Sequence, residues 1–252
     1  MTGPSVLAVF AHPDDESISA GGLLARSAAA GARTAVVSAT WSAGSVRAGE
    51  LAEAVRLLGV EEPPRLLGYA DAEVPESAPG RPRLVDAPLD EVVRALVTHI
   101  REFRPEVVVT HDAYGGLTGH ADHVQTYRVT LLAAQAAGLE QLYPEAGAPW
   151  RADALFLATH PESVVAGLRD VVGARRAVHG VPDEQITERL DVTPWLEAKI
   201  AAILAHRTEV ARGAVPGLVA AAPPEARAAL LSTEWFIRCS PDPTAPAGVR
   251  AR

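Results

Sequence analysis

At 252 residues, 48% hydrophobic and 21% charged, the chain has the composition of a globular protein and enough length to bury a sizeable core. A formal net charge of −8, with arginines scattered and no basic stripe, excludes nucleic acid as a main partner. The single cysteine, Cys239, excludes an internal disulfide framework and a cysteine-based zinc site, and no apolar stretch is long enough to span a bilayer. With no targeting segment visible at the N-terminus, the expected location is the cytoplasm. The abundance of Ala and Arg points to a GC-rich bacterial genome.

In chain order, Val6–Phe10 is a short β-branched and aromatic run, expected as a buried central strand. A helix follows from Asp15 to about Ala30, closed by Gly31, and Thr34–Thr40 is a second buried strand. Val46–Leu58 carries apolar residues at helical spacing and ends at Gly59, and Arg65–Tyr69 is a third strand. Asp71–Pro88, rich in proline, glycine and acids, reads as a loop. Leu89–Phe103 is an amphipathic helix stopped by Pro105, Glu106–Thr110 a fourth strand, and Ala121–Ala137 a further helix. Ala152–Ala158 returns as a strand. Thr193 and Pro194 are expected to cap and open a helix through Glu209, and Ser232–Cys239 to form a late strand. Strands alternating with helices imply βαβ crossovers, hence a Rossmann-like α/β three-layer sandwich with a mostly parallel sheet. No repeat or linker divides the chain, so residues 1–252 are expected to form one domain.

The first strand ends abruptly in His12-Pro13-Asp14-Asp15-Glu16, one histidine and three carboxylates within five residues. Adjacent carboxylates repel and resist ionising unless positive charge lies nearby. The fourth strand leads to Gly119-His120-Ala121-Asp122-His123. In open parallel sheets ligands gather beyond the carboxyl ends of strands, which brings these two segments to one edge. His12, Asp15 and His123 would supply two imidazoles and a carboxylate while leaving a position for water, as catalytic zinc does. Asp14, beside the metal but not bound to it, is then placed to deprotonate the water. His120 could stabilise an oxyanion or protonate a leaving amine, and Asp122 could fix a histidine tautomer. Glu16 reads as helix-start support. Gly21-Gly22 lacks the pattern of a phosphate loop and is better explained by close packing of helix on sheet. Trp41 and Trp235 read as packing residues, and His111 as a pocket residue and not a ligand.

AHPDDE together with GHADH resembles the PIG-L/LmbE-type N-acetylglucosaminyl deacetylases. That resemblance implies a Rossmann-like domain with a divalent metal, usually zinc (Fe2+ or another divalent ion being alternatives), that hydrolyses the N-acetyl group of a small N-acetylglucosamine-containing molecule. It implies His12, Asp15 and His123 as ligands, Asp14 as base and His120 as transition-state partner. Arg47-Ala-Gly-Glu50-Leu51 followed by Leu58-Gly59-Val60 resembles a further stretch of the family, making Arg47 a sugar-binding candidate, and Asp71 matches a substrate-contacting aspartate. Lys199–His206 resembles a late family helix. Mycothiol-pathway relatives carry a tyrosine immediately before the Gly-His of the second motif, and here that position is Thr118. Self-association is compatible with the sequence. Alternative readings are an amidase acting on a thiol–sugar conjugate, a non-haem Fe(II) oxygenase built on the same two histidines and carboxylate, or a non-catalytic sugar-binding homologue.

Overall fold

The computed structural model describes residues 3–165 and 178–240. Seven strands form one sheet: β1 (Val6–Phe10), β2 (Thr34–Thr40), β3 (Arg65–Tyr69), β4 (Val107–His111), β5 (Ala154–Thr159), β6 (Glu188–Asp191) and β7 (Thr233–Cys239). Their order is β3-β2-β1-β4-β5-β7-β6. The first five run parallel, and β7 pairs antiparallel with both β5 and β6. The described α-helices are α1 (Asp15–Ala29), α2 (Val46–Leu57), α3 (Leu89–Phe103), α4 (Ala121–Ala137), α5 (Leu196–Ala205), α6 (Arg207–Arg212), α7 (Val215–Ala221) and α8 (Pro224–Leu231). None is long and apolar enough to cross a membrane.

Strand periodicity explains the layering. Successive side chains on β1 point to opposite faces. Leu7 and Val9 join the core under α3 and α4, while Val6, Ala8 and Phe10 join the core under α1, α2 and α5. Every residue of β1 and β2 is buried because both faces are covered, which is why these strands read as continuous apolar runs and not as alternating ones. The expected α/β three-layer arrangement is therefore the observed one.

The order of the strands positions the site. Successive crossovers run outward from β1 to β2 and β3, then return to the other side of β1 at β4. Between β1 and β4 the winding reverses, and the segments leaving these two strands diverge to opposite faces, opening a crevice at their carboxyl ends. His12 lies just beyond β1 and His111 ends β4.

Three expectations need correction. Thr193 does not cap a helix: its N–H donates to Asp191 Oδ1 at 2.9 Å, and Thr193–Trp195 forms a 3-10 turn before α5 begins at Leu196. The long helix expected through Glu209 is interrupted at His206, whose backbone leaves the helical region (φ −78°, ψ 66°). Strand β6 (Glu188–Asp191) lies where no strand was expected. Three of its four residues are charged and its burial alternates, as suits a sheet edge protected by charge.

The two helical glycines also do something other than expected. A Cβ on Gly22 would collide with the Val192 side chain, not with the sheet. Beside it the Glu234 carboxylate accepts the backbone N–H groups of Gly22 (2.7 Å) and Leu23 (2.9 Å). The bare backbone thus lets β7 and the segment before α5 close onto α1. Gly22→Ala is expected to lower the denaturant midpoint by the equivalent of about 1–3 kcal/mol, the usual cost of overpacking. Adding Val192→Ala should recover part of that loss.

Candidate metal centre and active-site cavity

The two sequence motifs meet as their positions at the crevice require. His12 Nδ1 lies 3.1 Å from His123 Nε2, and 3.3 Å from Asp15 Oδ2. His123 Nε2 lies 3.3 Å from Asp15 Oδ1. Among the described residues, groupings able to hold an ion are His12/His120/His123, His12/Asp71/His120/Asp122 and Asp15/His111/His123. His12, His120 and His123 each occur in two of them, and Asp15 in the third.

The outer nitrogens decide which atoms face inward as lone pairs. His123 Nδ1 lies 3.0 Å from the Gly115 carbonyl, which only accepts, so Nδ1 carries the proton and Nε2 is bare. His12 Nε2 lies 3.2 Å from both Asp122 Oδ2 and Asp71 Oδ2, so its proton is there and Nδ1 is bare. Two imidazole lone pairs and a carboxylate therefore point at one another across 3.1–3.3 Å. With neutral rings that contact is repulsive, and a bound cation or a second proton on His12 relieves it. The spacing is the one that tetrahedral ligands with bonds of about 2.0–2.1 Å adopt, about 3.3 Å apart.

The surrounding charge favours a cation at this point. Burial alone would push His12 down, but Asp122, Asp15 and Asp71 outweigh it and hold His12 well above its ordinary value, so without a metal a proton on Nδ1 takes the cation's place. Burial would raise Asp15, yet His123 and His111 hold it well below the usual carboxylate range. His111 is buried, accepts the Ala11 N–H at 3.3 Å through Nε2, and stacks on His123 with ring centroids 3.9 Å apart. Burial and His123 push it down to about 3, so it stands as a neutral acceptor.

Asp14 is the outlier. Its φ of 129° is a conformation that side-chain-bearing residues rarely adopt, of the kind that costs about 1–3 kcal/mol and persists where the surroundings enforce it. The enforcement is visible. Glu16 Oε2 accepts the Asp14 N–H at 3.0 Å, and Arg47 donates to the Pro13 carbonyl while its Nη2 lies 3.3 Å from Asp14 Oδ1. Burial and the neighbouring Asp15 push Asp14 up to about 7, against the pull of Arg47. Glu16 is itself buried and held by His206 Nε2 at 3.0 Å.

His120 caps α4, its Nδ1 accepting the Asp122 N–H at 3.2 Å. In the neutral ring the proton is then on Nε2, which lies 3.5 Å from Glu73 Oε1 beside the cavity. Burial, then His12 and His123, lower His120 and favour that neutral form. Asp71 accepts the N–H groups of Glu73 and Val74 through Oδ1 and faces His12 through Oδ2. Arg47 is 4% exposed, with Nη1 3.0 Å from Glu209 Oε1 and its guanidinium 4.6 Å from the Trp41 ring. Both Arg47 and Asp71 line the cavity while being tied to other protein groups.

Several participants escaped the sequence reading. Glu209 and Glu234 carried no motif, and His206 only closed the stretch that resembles a late family helix. Asp112, between β4 and the second motif, accepts the N–H groups of Tyr114 and Gly116 and the Thr159 hydroxyl, and so shapes the loop that delivers the Gly115 carbonyl to His123. Gly115, Gly116 and Gly119 have φ of 79°, 66° and 67°, which is what lets this loop turn so tightly. The pattern Asp-x-x-Gly-Gly was its only trace in sequence.

The geometry defines a hydrolase-like polar centre on a Rossmann-like sheet, and comparison with known proteins identifies the lineage. Residues 7–134 match the PIG-L family, described as GlcNAc-PI de-N-acetylase. The chain is 37% identical over 244 residues to the 1D-myo-inositol 2-acetamido-2-deoxy-alpha-D-glucopyranoside deacetylase of Rhodococcus jostii, covering 83% of each chain. It is 38% identical over 244 residues to the protein of the same name from Streptomyces avermitilis, covering 81% of this chain and 82% of that one. The chain belongs to the PIG-L family. Among solved structures, a conserved protein from Thermus thermophilus superposes with a TM-score of 0.67 at 27% identity, covering 99% of this chain and 100% of that one. The N,N'-diacetylchitobiose deacetylase of Pyrococcus horikoshii shares the fold, with a TM-score of 0.65 at 20% identity over 94% of this chain and 84% of that one.

The His206–Glu16 contact, one residue beyond Asp15, gives a pH signature of its own. Burial disfavours the imidazolium, but Glu16 and Asp14 outweigh burial and raise His206 above its ordinary value. A raised histidine contributes stability fully present below its unfolded pKa of about 6.5 and lost as pH rises through the folded value. In denaturant unfolding of metal-free protein, the gap between wild type and His206→Gln should be largest at pH 6 and narrow toward pH 9.

Proposed function

We propose that this chain is a divalent-metal-dependent hydrolase that removes the N-acyl group, acetyl in the simplest case, from a small molecule containing N-acetylglucosamine. The observation that carries the reading is the convergence of His12 Nδ1, His123 Nε2 and the Asp15 carboxylate with their lone pairs facing one another. Family membership and the names of the related deacetylases support the acetylated amino sugar as substrate class. His12, Asp15 and His123 would hold the metal, and two imidazoles with one carboxylate suit zinc. When bound, such an ion lowers the pKa of water toward about 7 and polarises an amide carbonyl.

The chain's own residues supply the remaining functions. Asp14, held by Arg47 and the Glu16 contact, takes the proton of the attacking water, and its elevated pKa of about 7 matches a base working near neutrality. The His120 Nε2–H is oriented by its cap bond to donate to the developing tetrahedral oxyanion, the kind of contact that is strongest in the transition state. The leaving amine collects a proton from Asp14 or His120. Asp71 and Asp122 fix the His12 tautomer. Arg47 acts through Asp14 as a positioning residue and presents its remaining edge to the substrate.

With metal-replete protein and N-acetylglucosamine conjugates, including the inositol conjugate, release of acetate and free amine should proceed without oxygen. Asp14→Asn should retain metal, measured by elemental analysis, and lose kcat by about 10²-fold or more, in line with loss of a general base. His12→Ala should lose both metal and turnover. Full activity in Asp14→Asn would remove Asp14 as the base.

A further inference from the structure

The cavity does not end at the metal centre. It has a volume of about 380 Å3 and runs from the loops after β3 and β4 to the C-terminal helices. Its two ends differ in chemistry. Near the loops it is lined by Asp71, Glu73, Thr118 and His120. At the far end it is lined by Ile18 of α1, Val215 and Leu218 of α7, Leu230 and Leu231 of α8, and Trp235 of β7. This annex starts beside the reacting centre: Ile18 is three residues after Asp15 on α1, so the two lie on one face, about 4.5 Å apart along the axis.

The charged groups along the annex are already paired. Lys199 Nζ lies 2.7 Å from Glu234 Oε1, both buried, and Glu234 also accepts two backbone N–H groups. Glu209 is bound by Arg47 and Arg212. Thr159 donates to Asp112 at 2.5 Å. Burial and Lys199 push His160 down to about 4, so it presents a neutral ring beside Trp235.

A sugar ring carries hydroxyls, and each hydroxyl left unpaired in a buried site costs affinity. The loop end offers polar groups, with the exposed Glu73 carboxylate among them, whereas the annex offers hydrocarbon. An amide carbonyl at the metal centre carries the nitrogen on one side and the alkyl substituent of the acyl group on the other. With the sugar at the loop end, the acyl substituent points into the annex. An acetyl group brings a single methyl to an end lined by six apolar side chains.

Resting on the hydrolase reading above, we propose that the annex receives the acyl chain, and that the preferred substrate class is amino sugars N-acylated with apolar groups longer than acetyl. The reaction keeps its balance: water supplies an oxygen to the released carboxylate, the C–N bond breaks, and the amine retains the electron pair and gains a proton.

The test is a chain-length series on metal-replete protein: N-acetyl, N-butanoyl, N-hexanoyl and N-octanoyl glucosamine, with amine release followed. The expected result is a rise in kcat/KM of about fourfold per methylene until the annex is filled. A parallel series of N-acetylglucosaminides with methyl to octyl aglycones should stay flat. Leu218→Gln should lower the octanoyl-to-acetyl ratio of kcat/KM. Equal efficiency for acetyl and octanoyl substrates, or a gain that follows aglycone length, would overturn this inference and leave deacylation standing. Failure of every sugar amide to release amine would overturn the hydrolase reading together with it.

Discussion

Everything at the centre of this molecule turns on where two imidazole protons are. The Gly115 carbonyl fixes one on His123 Nδ1, and the Asp71 and Asp122 carboxylates fix the other on His12 Nε2. Bare nitrogens are then forced to face each other and the Asp15 carboxylate. A protein that placed these atoms together for packing alone would turn one ring over. The surrounding hydrogen bonds prevent that, so with neutral rings the repulsion is built in, and a bound cation or a second proton on His12 relieves it. The preceding layers follow from this demand. A parallel sheet whose winding reverses between β1 and β4 brings residues over a hundred positions apart to one crevice, and the Asp112-organised loop sets the height of the carbonyl that orients His123.

Around this centre the conflict between neighbouring carboxylates is resolved by dividing their environments. Asp15, facing His123 and His111, stays ionised, whereas Asp14, pushed by burial and by Asp15, sits near neutrality. Two adjacent acids in the chain thereby acquire different chemistry, the pattern that separates a ligand from a base. The division depends on backbone as much as on charge. With its φ of 129° Asp14 is turned away from the path of an ordinary strand-to-helix junction, and Glu16, Arg47 and the Pro13 carbonyl hold that turn.

What could be read from sequence was the part encoded locally. HPDDE and GHADH each compress several chemical groups into five residues, and β1, β2, β4 and β5 announce themselves as apolar runs because both sheet faces are covered. What could not be read depends on long-range closure. Glu209 and Glu234 look like surface acids until Arg47, Lys199 and the α1 backbone are brought to them. Arg47 matched a sugar-contacting position, yet its charge is spent on Asp14 and Glu209 as well. Gly22 looked like a sheet-packing glycine, and only the fold reveals Val192 above it. Ile18, Val215, Leu218 and Trp235 are ordinary apolar residues in sequence; nothing local separates the wall of a cavity from the filling of a core.

The C-terminal helices illustrate why such charged contacts exist at all. Three of their ionic contacts are buried: His206 to Glu16 of α1, Glu209 to Arg47 of α2, and Lys199 to Glu234 of β7. Apolar residues could have sealed the same surfaces with equal or greater stability, because desolvating an ion pair consumes most of its Coulombic gain. Ionic contacts instead fix position: removing one partner strands the other in low dielectric at a cost of about 3–5 kcal/mol. Two of the three pairs end on residues that hold Asp14, and the third anchors α1, the helix that carries Asp15 and Ile18. The helices beyond the parallel sheet therefore do two jobs with one set of contacts. They hold Asp14 in its strained conformation, and they roof the apolar end of the cavity at a fixed distance from it.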